Sequence, residues 1–450
     1  MYDGDAPKTA DSPDTLAPPP SFPLPAPPSP PAPSVPPLTK IRGFRFFLLS
    51  RVTSALGSAV TSVVLPVLVY QQTRSPLLVS LVAAAGTLPY LLFGLVAGAV
   101  ADRVDRRRLM VTADGLNALC LATVPLAAVL GVLTVGQVIA VALLSSSLCL
   151  FFDAGVYGLV PEVVGKENIA RANGLLYGAE STVRIAGTSL AGALLVLLRP
   201  SDALVVDVVS FAASGLLVRA IGRRPRGAAD PAPEVPPEVP PEVPSQEPGF
   251  VKSVGEGLRF LWGHPVLRVL TAVGTLQSFA GGAVVGQLVV HADRVLGIHG
   301  TDPRIGFLYT AWSAGGIGGA LLLPLLRRRL DPLRILLVAL PAGAALGVVV
   351  VFSADWRLSV VALTLWGSAY LVVLVNTMTY AQEVTPPRLQ GRVNTTRRML
   401  SSGLGVPLGA LVAGALTARF GIHTGMSAAV VSVTAAALLA LRSQGERVRA

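Results

Sequence analysis

Residues 94–108 read GLVAGAVADRVDRRR, an apolar run that holds two glycines four residues apart and ends in a strongly basic turn. Residues 315–329 read GGIGGALLLPLLRRR and repeat both features. Glycines with this spacing let a neighbouring membrane helix approach closely. The two stretches therefore predict a duplicated membrane helix, each copy followed by a charged turn. The paired glycines are Gly94, Gly98, Gly315 and Gly319.

The composition agrees with a chain that lies mostly in lipid. Of its 450 residues, 52% are hydrophobic and only 14% are charged, and the mean hydropathy is +0.64. A soluble globular protein carries about 25% charged residues. Apolar runs of about 20 residues, the length that a membrane helix needs, occur six times in each half. The sequence therefore predicts an all-α membrane protein of about twelve transmembrane helices in two six-helix bundles. The runs begin near Phe46, Leu77, Leu109, Gln137, Ile169, Ala203, Leu267, Gly306, Leu333, Val360, Met399 and Gly421.

Two proline-rich stretches divide the chain. Residues 1–39 predict a disordered cytoplasmic tail, which is either featureless or a proline-motif ligand for a partner. Residues 223–250 repeat Pro-Glu-Val-Pro and predict an extended linker. The bundles then span residues 40–222 and 251–442, and a short tail follows at 443–450.

The position of the basic residues predicts the orientation. One set of loops and ends holds 27 of the 36 Lys and Arg residues, whereas the alternate loops hold six. The positive-inside rule places the first set, with both termini, on the cytoplasmic side of the plasma (inner) membrane. Topology thus explains the net charge of +11, and a nucleic-acid partner is not expected.

The turn after the second span resembles that of a known family. Residues 98–108 resemble the signature loop between the second and third helices of the major facilitator superfamily, with Asp105 where that signature has Gly. The resemblance implies a conformational latch carried here by Gly98, Asp102 and Arg103. The dipole of a helix from the other half would hold the Asp102 carboxylate. The alternative is that the basic turn only sets the topology.

Four further stretches are similar to an exporter branch that includes macrolide-efflux and enterobactin-exporter proteins: residues 151–161, 172–173, 206–211 and 256–268. The resemblance implies secondary active export of a small amphipathic molecule (a drug, natural product or siderophore) by alternating access. The fourth span lacks the Arg that many proton-coupled antiporters carry, so proton coupling stays open. An importer with the same fold and a non-transporting receptor or scaffold are the alternatives.

Enzymatic and cofactor motifs are not found in the sequence. It has no phosphate-binding G-x-x-x-x-G-K-[ST] loop and no hydrolase or metalloprotease signature. We therefore expect no cofactor, no metal and no ATP site, with membrane lipid and a small-molecule substrate as the partners.

Ionisable residues deep in a membrane span are costly and are therefore functional candidates. Glu180 and Arg184 lie near the middle of the fifth span with the favourable i, i+4 spacing for an ion pair. They form either a structural lock or a proton or substrate site. Arg51 and Asp153 lie at similar depths in the first and fourth spans and predict an interhelical pair, unless Arg51 extends to the cytoplasmic surface. Asp207 lies nearer the end of its span, where we expect a structural role at a depth that water reaches.

Amphipathic side chains in the second-half spans are candidates for lining a substrate cavity, although any one of them fits ordinary packing as well. They are Gln277, Trp312, Trp366, Tyr370, Asn376 and Tyr380.

Overall fold

The computed structural model describes residues 38–221, 250–300, 302–386 and 389–449, which form helices and turns without a β-strand. The helices of the N-terminal half are α1 (Arg42–Thr73), α2 (Pro76–Ala85), α3 (Leu88–Arg103), α4 (Arg106–Val129), α5 (Val135–Val164), α6 (Ile169–Leu197), α7 (Pro200–Ala203) and α8 (Val205–Ala220). Those of the C-terminal half are α9 (Phe250–Gly263), α10 (Pro265–Arg294), α11 (Arg304–Arg327), α12 (Pro332–Phe352), α13 (Trp356–Val384), α14 (Gln390–Arg398), α15 (Val406–Phe420) and α16 (Ile422–Arg449). A π-helical stretch, Met399–Gly405, joins α14 to α15.

Twelve helical stretches in these ranges are long and apolar enough to cross a membrane. Six lie in each half, and each begins within four residues of its predicted start. The all-α prediction is therefore confirmed. The predicted linker lies almost wholly outside the described residues, as does the N-terminal tail apart from Leu38–Lys40. The segment predicted to be a C-terminal tail continues α16 up to Arg449.

The helix ends follow from local sequence. Ser75 caps α2 by accepting a hydrogen bond from the Leu78 amide, and Pro76 supplies the fixed φ that suits a first helical position. Asp105 caps α4 through the Arg108 amide. The second span is interrupted at Gly86-Thr87, so α2 and α3 form it together.

Matching ion pairs in the two halves bear out the predicted repeat. After the second span, Arg106 Nη1 contacts Glu162 Oε1, near the end of the fourth span, at 2.5 Å. At the end of the eighth span, Arg327 Nη2 contacts Glu383 Oε2, near the end of the tenth, at 2.8 Å. The same basic turn therefore holds the same neighbouring span in both bundles.

The paired glycines behave differently in the two halves. A Cβ on Gly315 or Gly319 would collide with the carbonyl oxygens of α13, so these glycines do permit close packing. A Cβ on Gly94 or Gly98 would have no neighbour within 4 Å. The predicted close approach is thus correct for the second half and wrong for the first half in this conformation.

Within each half, the helices pack as a bundle. In the first, α1 packs against α6 and α8, and α4 packs against α5 and α8. In the second, α11 packs against α13, and α10 packs against α15 and α16. The halves meet through α6 with α11, through α2 with α10 and α15, and through α3 with the π-helical stretch Met399–Gly405.

Candidate functional site: a cavity between the two bundles

One carboxylate joins the two halves at the end of the molecule that holds residues 295–300, here called the far end. Tyr70 Oη donates a hydrogen bond to Asp293 Oδ2 at 2.8 Å. Arg74 Nη1 and His299 Nδ1 lie 3.1 and 2.9 Å from Asp293 Oδ1. Tyr70 lies in α1, Arg74 directly follows it, and Asp293 lies in the last turn of α10, so the contacts of Tyr70 and Arg74 hold the N-terminal half to the C-terminal half.

Two further contacts close the far end. The hydroxyl groups of Thr188 in α6 and Thr310 in α11 lie 3.0 Å apart. Gln287 Nε2 in α10 donates to Ser80 Oγ in α2 at 2.5 Å. These two contacts and those around Asp293 all lie in the parts of the spans nearest the far end.

The face of α6 that lies between α1 and α11 changes its exposure along the helix. Toward the far end, its residues Thr188, Ala191 and Leu195 are buried. Toward the opposite end, which holds the basic turns and is here called the arginine-rich end, Arg184 and Tyr177 on the same face are exposed. Along this face, α6 and α11 therefore part below Thr188 and leave a cavity that opens toward the arginine-rich end, while α3 still meets the π-helical stretch Met399–Gly405 of the other half.

A cluster of three charges lies in the N-terminal bundle, and we call Arg51, Asp153 and Glu180 the charge triad. Arg51 Nη1 donates to Asp153 Oδ1 at 2.9 Å, and Arg51 Nε donates to Glu180 Oε1 at 2.6 Å. The guanidinium also lies 5.5 Å from the centroid of the Phe152 ring. The side chains of the triad retain 12–29% exposure, so they are shielded but reachable.

The predicted pairs are partly right. The interhelical Arg51–Asp153 pair is confirmed. The Glu180–Arg184 pair is wrong, because Glu180 turns toward α1 and is held by Arg51, while Arg184 is exposed. The i, i+4 spacing permits such a pair, but the Arg51 guanidinium of the neighbouring helix binds Glu180 instead and bridges it to Asp153.

The sequence did not single out Tyr90, which links the triad to the other half. Its Oη donates to Asp153 Oδ2 at 3.3 Å. Its ring lies 5.1 Å below the guanidinium of Arg398, at the end of α14. Tyr90 thus contacts a carboxylate of one bundle and a cation of the other.

The predicted cavity-lining residues fall into two groups. Gln277, Trp366 and Asn376 are at most 2% exposed and pack inside the C-terminal bundle, so they do not face an open cavity in this conformation. Asn376 Nδ2, for example, donates to the Pro332 carbonyl at 2.8 Å. The remaining candidates, Trp312, Tyr370 and Tyr380, are half-buried.

The half-buried candidates include an aromatic contact. Trp312 and Tyr370 have ring centroids 5.2 Å apart, and Trp312 meets Trp366 edge to face at 5.7 Å. These three rings form an aromatic cluster between α11 and α13.

The predicted latch lies at the end of α3. Gly98 faces open space and Arg103 is exposed, whereas the side chain of Asp102 lies outside the described part of the structure. Its role as a latch stays a prediction.

Asp207 is buried deeper than the sequence suggested. It is 1% exposed and accepts hydrogen bonds from Thr61 Oγ1 at 2.5 Å and Ser210 Oγ at 2.8 Å. The predicted structural role agrees with these contacts, but the predicted access to water is wrong.

Among the described residues, no group of three His, Cys, Asp or Glu side chains is arranged to hold a metal ion.

The far-end cluster was also missed at the level of sequence. Tyr70 and Asp293 are 223 positions apart, and no local spacing marks them as partners. The only available signal was that both lie at span ends on the same side of the membrane.

Nearly the whole chain matches one known protein family. The family model described as "Transmembrane secretion effector" matches residues 32–450. The chain belongs to this family, within the major facilitator superfamily. The superfamily predicted from the signature loop is therefore confirmed, together with a multi-pass membrane location and transport.

This major facilitator chain is similar to curated exporters. It is 29% identical to the multidrug efflux pump Tap of Mycolicibacterium fortuitum, over 86% of this chain and 91% of that protein. It is 26% identical to the enterobactin exporter EntS of Citrobacter koseri, over 81% of this chain and 84% of that protein. The predicted exporter branch is thus found among its relatives.

The fold also matches solved members of the superfamily. A bacterial homologue of the human lysosomal transporter Spinster, in an inward-facing and unoccupied conformation, gives a TM-score of 0.69 at 14% identity. The match covers 89% of this chain and 96% of the other. At this identity the comparison shows the shared fold.

Proposed function

We propose that this protein exports a small amphipathic molecule across the inner membrane by alternating access, with the charge triad as its coupling site. The cavity that begins at Thr188 and opens toward the arginine-rich end supports the proposal. It gives a substrate an entrance from one side, while the contacts around Asp293 close the other. The efflux relatives favour export as the direction of transport.

The orientation rests on the basic residues. Because 27 Lys and Arg residues lie on one side and six on the other, the arginine-rich end faces the cytoplasm, and so do both termini. The cavity is then loaded from the cytoplasm, as an exporter requires. Asp293 and His299 lie on the external side.

Charge balance makes the triad a candidate for coupling. One guanidinium faces two carboxylates, so the triad carries a net charge of −1 when all three groups are ionised. One proton on Asp153 or Glu180 makes it neutral. Because a charge in the membrane interior is costly, proton binding and release can bias which conformation is stable. This provides coupling without the fourth-span Arg.

The test of this proposal measures substrate accumulation in everted membrane vesicles under an imposed pH gradient. We expect Glu180→Gln to abolish uphill, pH-dependent transport and to leave downhill exchange partly intact. Glu162→Gln is the control, because it removes a carboxylate that also pairs with an arginine but lies exposed at the cytoplasmic end. Its transport should stay near wild type.

A purely structural triad gives a different result. Glu180→Gln would then lower the amount of folded protein, because Arg51 would lose one of its two partners, while transport per folded molecule would keep its pH dependence. A well-folded Glu180→Gln protein with wild-type, pH-dependent export would remove the triad from the mechanism. Accumulation driven into the cell would support the importer instead.

A further inference from the structure

Arg184 lies at the midpoint of the fifth span, Arg171–Leu197, and is exposed. A guanidinium at this depth does not face lipid, because the cost of placing a charge in hydrocarbon is several kcal/mol. The flanks of this part of α6 are occupied. Gly187, one turn farther on, packs against α1, and Gly192 packs against α11. Arg184 therefore projects into the space between the bundles.

Its position in the cavity is set by the next turn of the helix. Thr188, one turn toward the far end on the same face, is buried and contacts Thr310 of the other half. Arg184 is thus the first side chain below the closed region. It occupies the apex of the cavity, where a molecule entering from the cytoplasm comes to rest.

The carboxylate best placed to neutralise Arg184 is already engaged. Glu180 lies one turn away on the same helix, but its Oε1 accepts from Arg51 at 2.6 Å, and Asp153 is held by the same guanidinium. Among the described residues, no acidic side chain lies within ion-pair distance of Arg184. The apex therefore presents a positive charge with unused hydrogen-bond donors.

We infer that Arg184 binds an anionic group of the transported molecule, so that the substrate is an amphipathic organic anion. This inference rests on the proposed transport function and adds the chemical class of the substrate. A planar guanidinium binds a carboxylate, sulfonate or phosphate through two parallel hydrogen bonds. The half-buried rings of Trp312 and Tyr370 in the other bundle supply apolar surface for the rest of such a molecule.

Two probes with one aromatic scaffold test the inference. 1-Anilinonaphthalene-8-sulfonate is an amphipathic anion, and 1-anilinonaphthalene is the same molecule without the sulfonate. We expect the purified full-length protein to bind the sulfonate more tightly than the neutral probe. Arg184→Gln should weaken sulfonate binding about tenfold or more, because the sulfonate would lose its charge-assisted hydrogen bonds to the guanidinium. It should change binding of the neutral probe less than about twofold.

Two variants separate this role from a structural one. Arg171→Gln removes an exposed arginine at the cytoplasmic end of α6 and should leave both probes unaffected. Arg184→Lys keeps the charge without the planar fork and should give intermediate sulfonate affinity. Equal binding of the two probes by the unmodified protein, or equal loss of both in Arg184→Gln, overturns the inference.

The inference and the proposed function fail in different ways. Export of neutral or cationic molecules that persists unchanged in Arg184→Gln would leave the exporter intact and refute the anion site. Arg184-dependent binding of the sulfonate without its accumulation in vesicles would support the anion site and refute the exporter.

Discussion

The backbones of Gly192 in α6 and Gly306 in α11 touch, so that a Cβ added to Gly192 would lie 2.9 Å from the Cα atom of Gly306. Helix α6 belongs to the N-terminal bundle and α11 to the C-terminal bundle. The far end can close here only because both residues lack a side chain. In the proposed alternating-access cycle, this contact therefore helps to set the balance between the two conformations.

Gly192→Leu should shift the protein toward the conformation that is open at the far end. Overpacking costs about 1–3 kcal/mol, and each 1.4 kcal/mol changes the conformational ratio about tenfold. The test uses the Arg184→Cys variant in a background with Cys120 and Cys149 replaced by alanine. The measurement is the rate at which an external, impermeant thiol reagent labels the cysteine at position 184. We expect labelling to become about tenfold faster. Gly178→Leu, on the same helix but facing open space, should leave the rate unchanged; equal rates in both variants would contradict the prediction.

Tyr90→Phe removes the hydrogen bond to Asp153 but keeps the ring beneath Arg398. We expect export to fall several-fold and its pH profile to change, because Asp153 loses a hydrogen-bond donor. Tyr90→Ala, which also removes the ring, should lower export further. Transport assays at several pH values, at matched expression, check both variants. An unchanged pH profile in Tyr90→Phe would mean that the hydroxyl plays no part in coupling.

Asp102→Asn tests the predicted latch. It keeps the shape of the side chain and removes the charge that a helix dipole would hold. We expect normal membrane insertion and export lowered about tenfold or more, which corresponds to at least about 1.4 kcal/mol of lost coupling. Asp105→Asn is the matched control, since asparagine also caps a helix and α4 should begin as before. Unchanged export in Asp102→Asn would reduce the loop to a topology signal.

Single cysteines in the same alanine background test the orientation. A cysteine at Val132, in the exposed turn after α4, should react with an impermeant thiol reagent in intact cells, as should one at His299. A cysteine at Pro236, in the linker, should react only after the cells are opened. The reverse pattern would refute the orientation and the assignment of the loading side.

Length and hydropathy predicted the spans because a helix is the one local structure that pairs all its own backbone groups in lipid. The Arg51–Asp153 pair could also be predicted from the sequence, because opposite charges at one depth in neighbouring spans have few other partners. The partner of Glu180 could not be predicted, because it depends on how far α6 is rotated about its axis. The burial of Trp366 and Asn376 depends on rotation of α13 in the same way. Such rotations are set by packing across the whole bundle and leave no short-range pattern in the chain.

The anionic substrate inferred from Arg184 has an energetic consequence for the proposed transport cycle. The cytoplasm is electrically negative relative to the outside, and in the proposed orientation an anion released at the far end carries its charge through this field. The free energy released is about 2.3 kcal/mol per 100 mV of membrane potential for each negative charge that leaves the cytoplasm. For an anionic substrate, the voltage across the membrane therefore contributes to the driving force for export. Collapsing that voltage should slow efflux even when the proton concentrations on the two sides are equal.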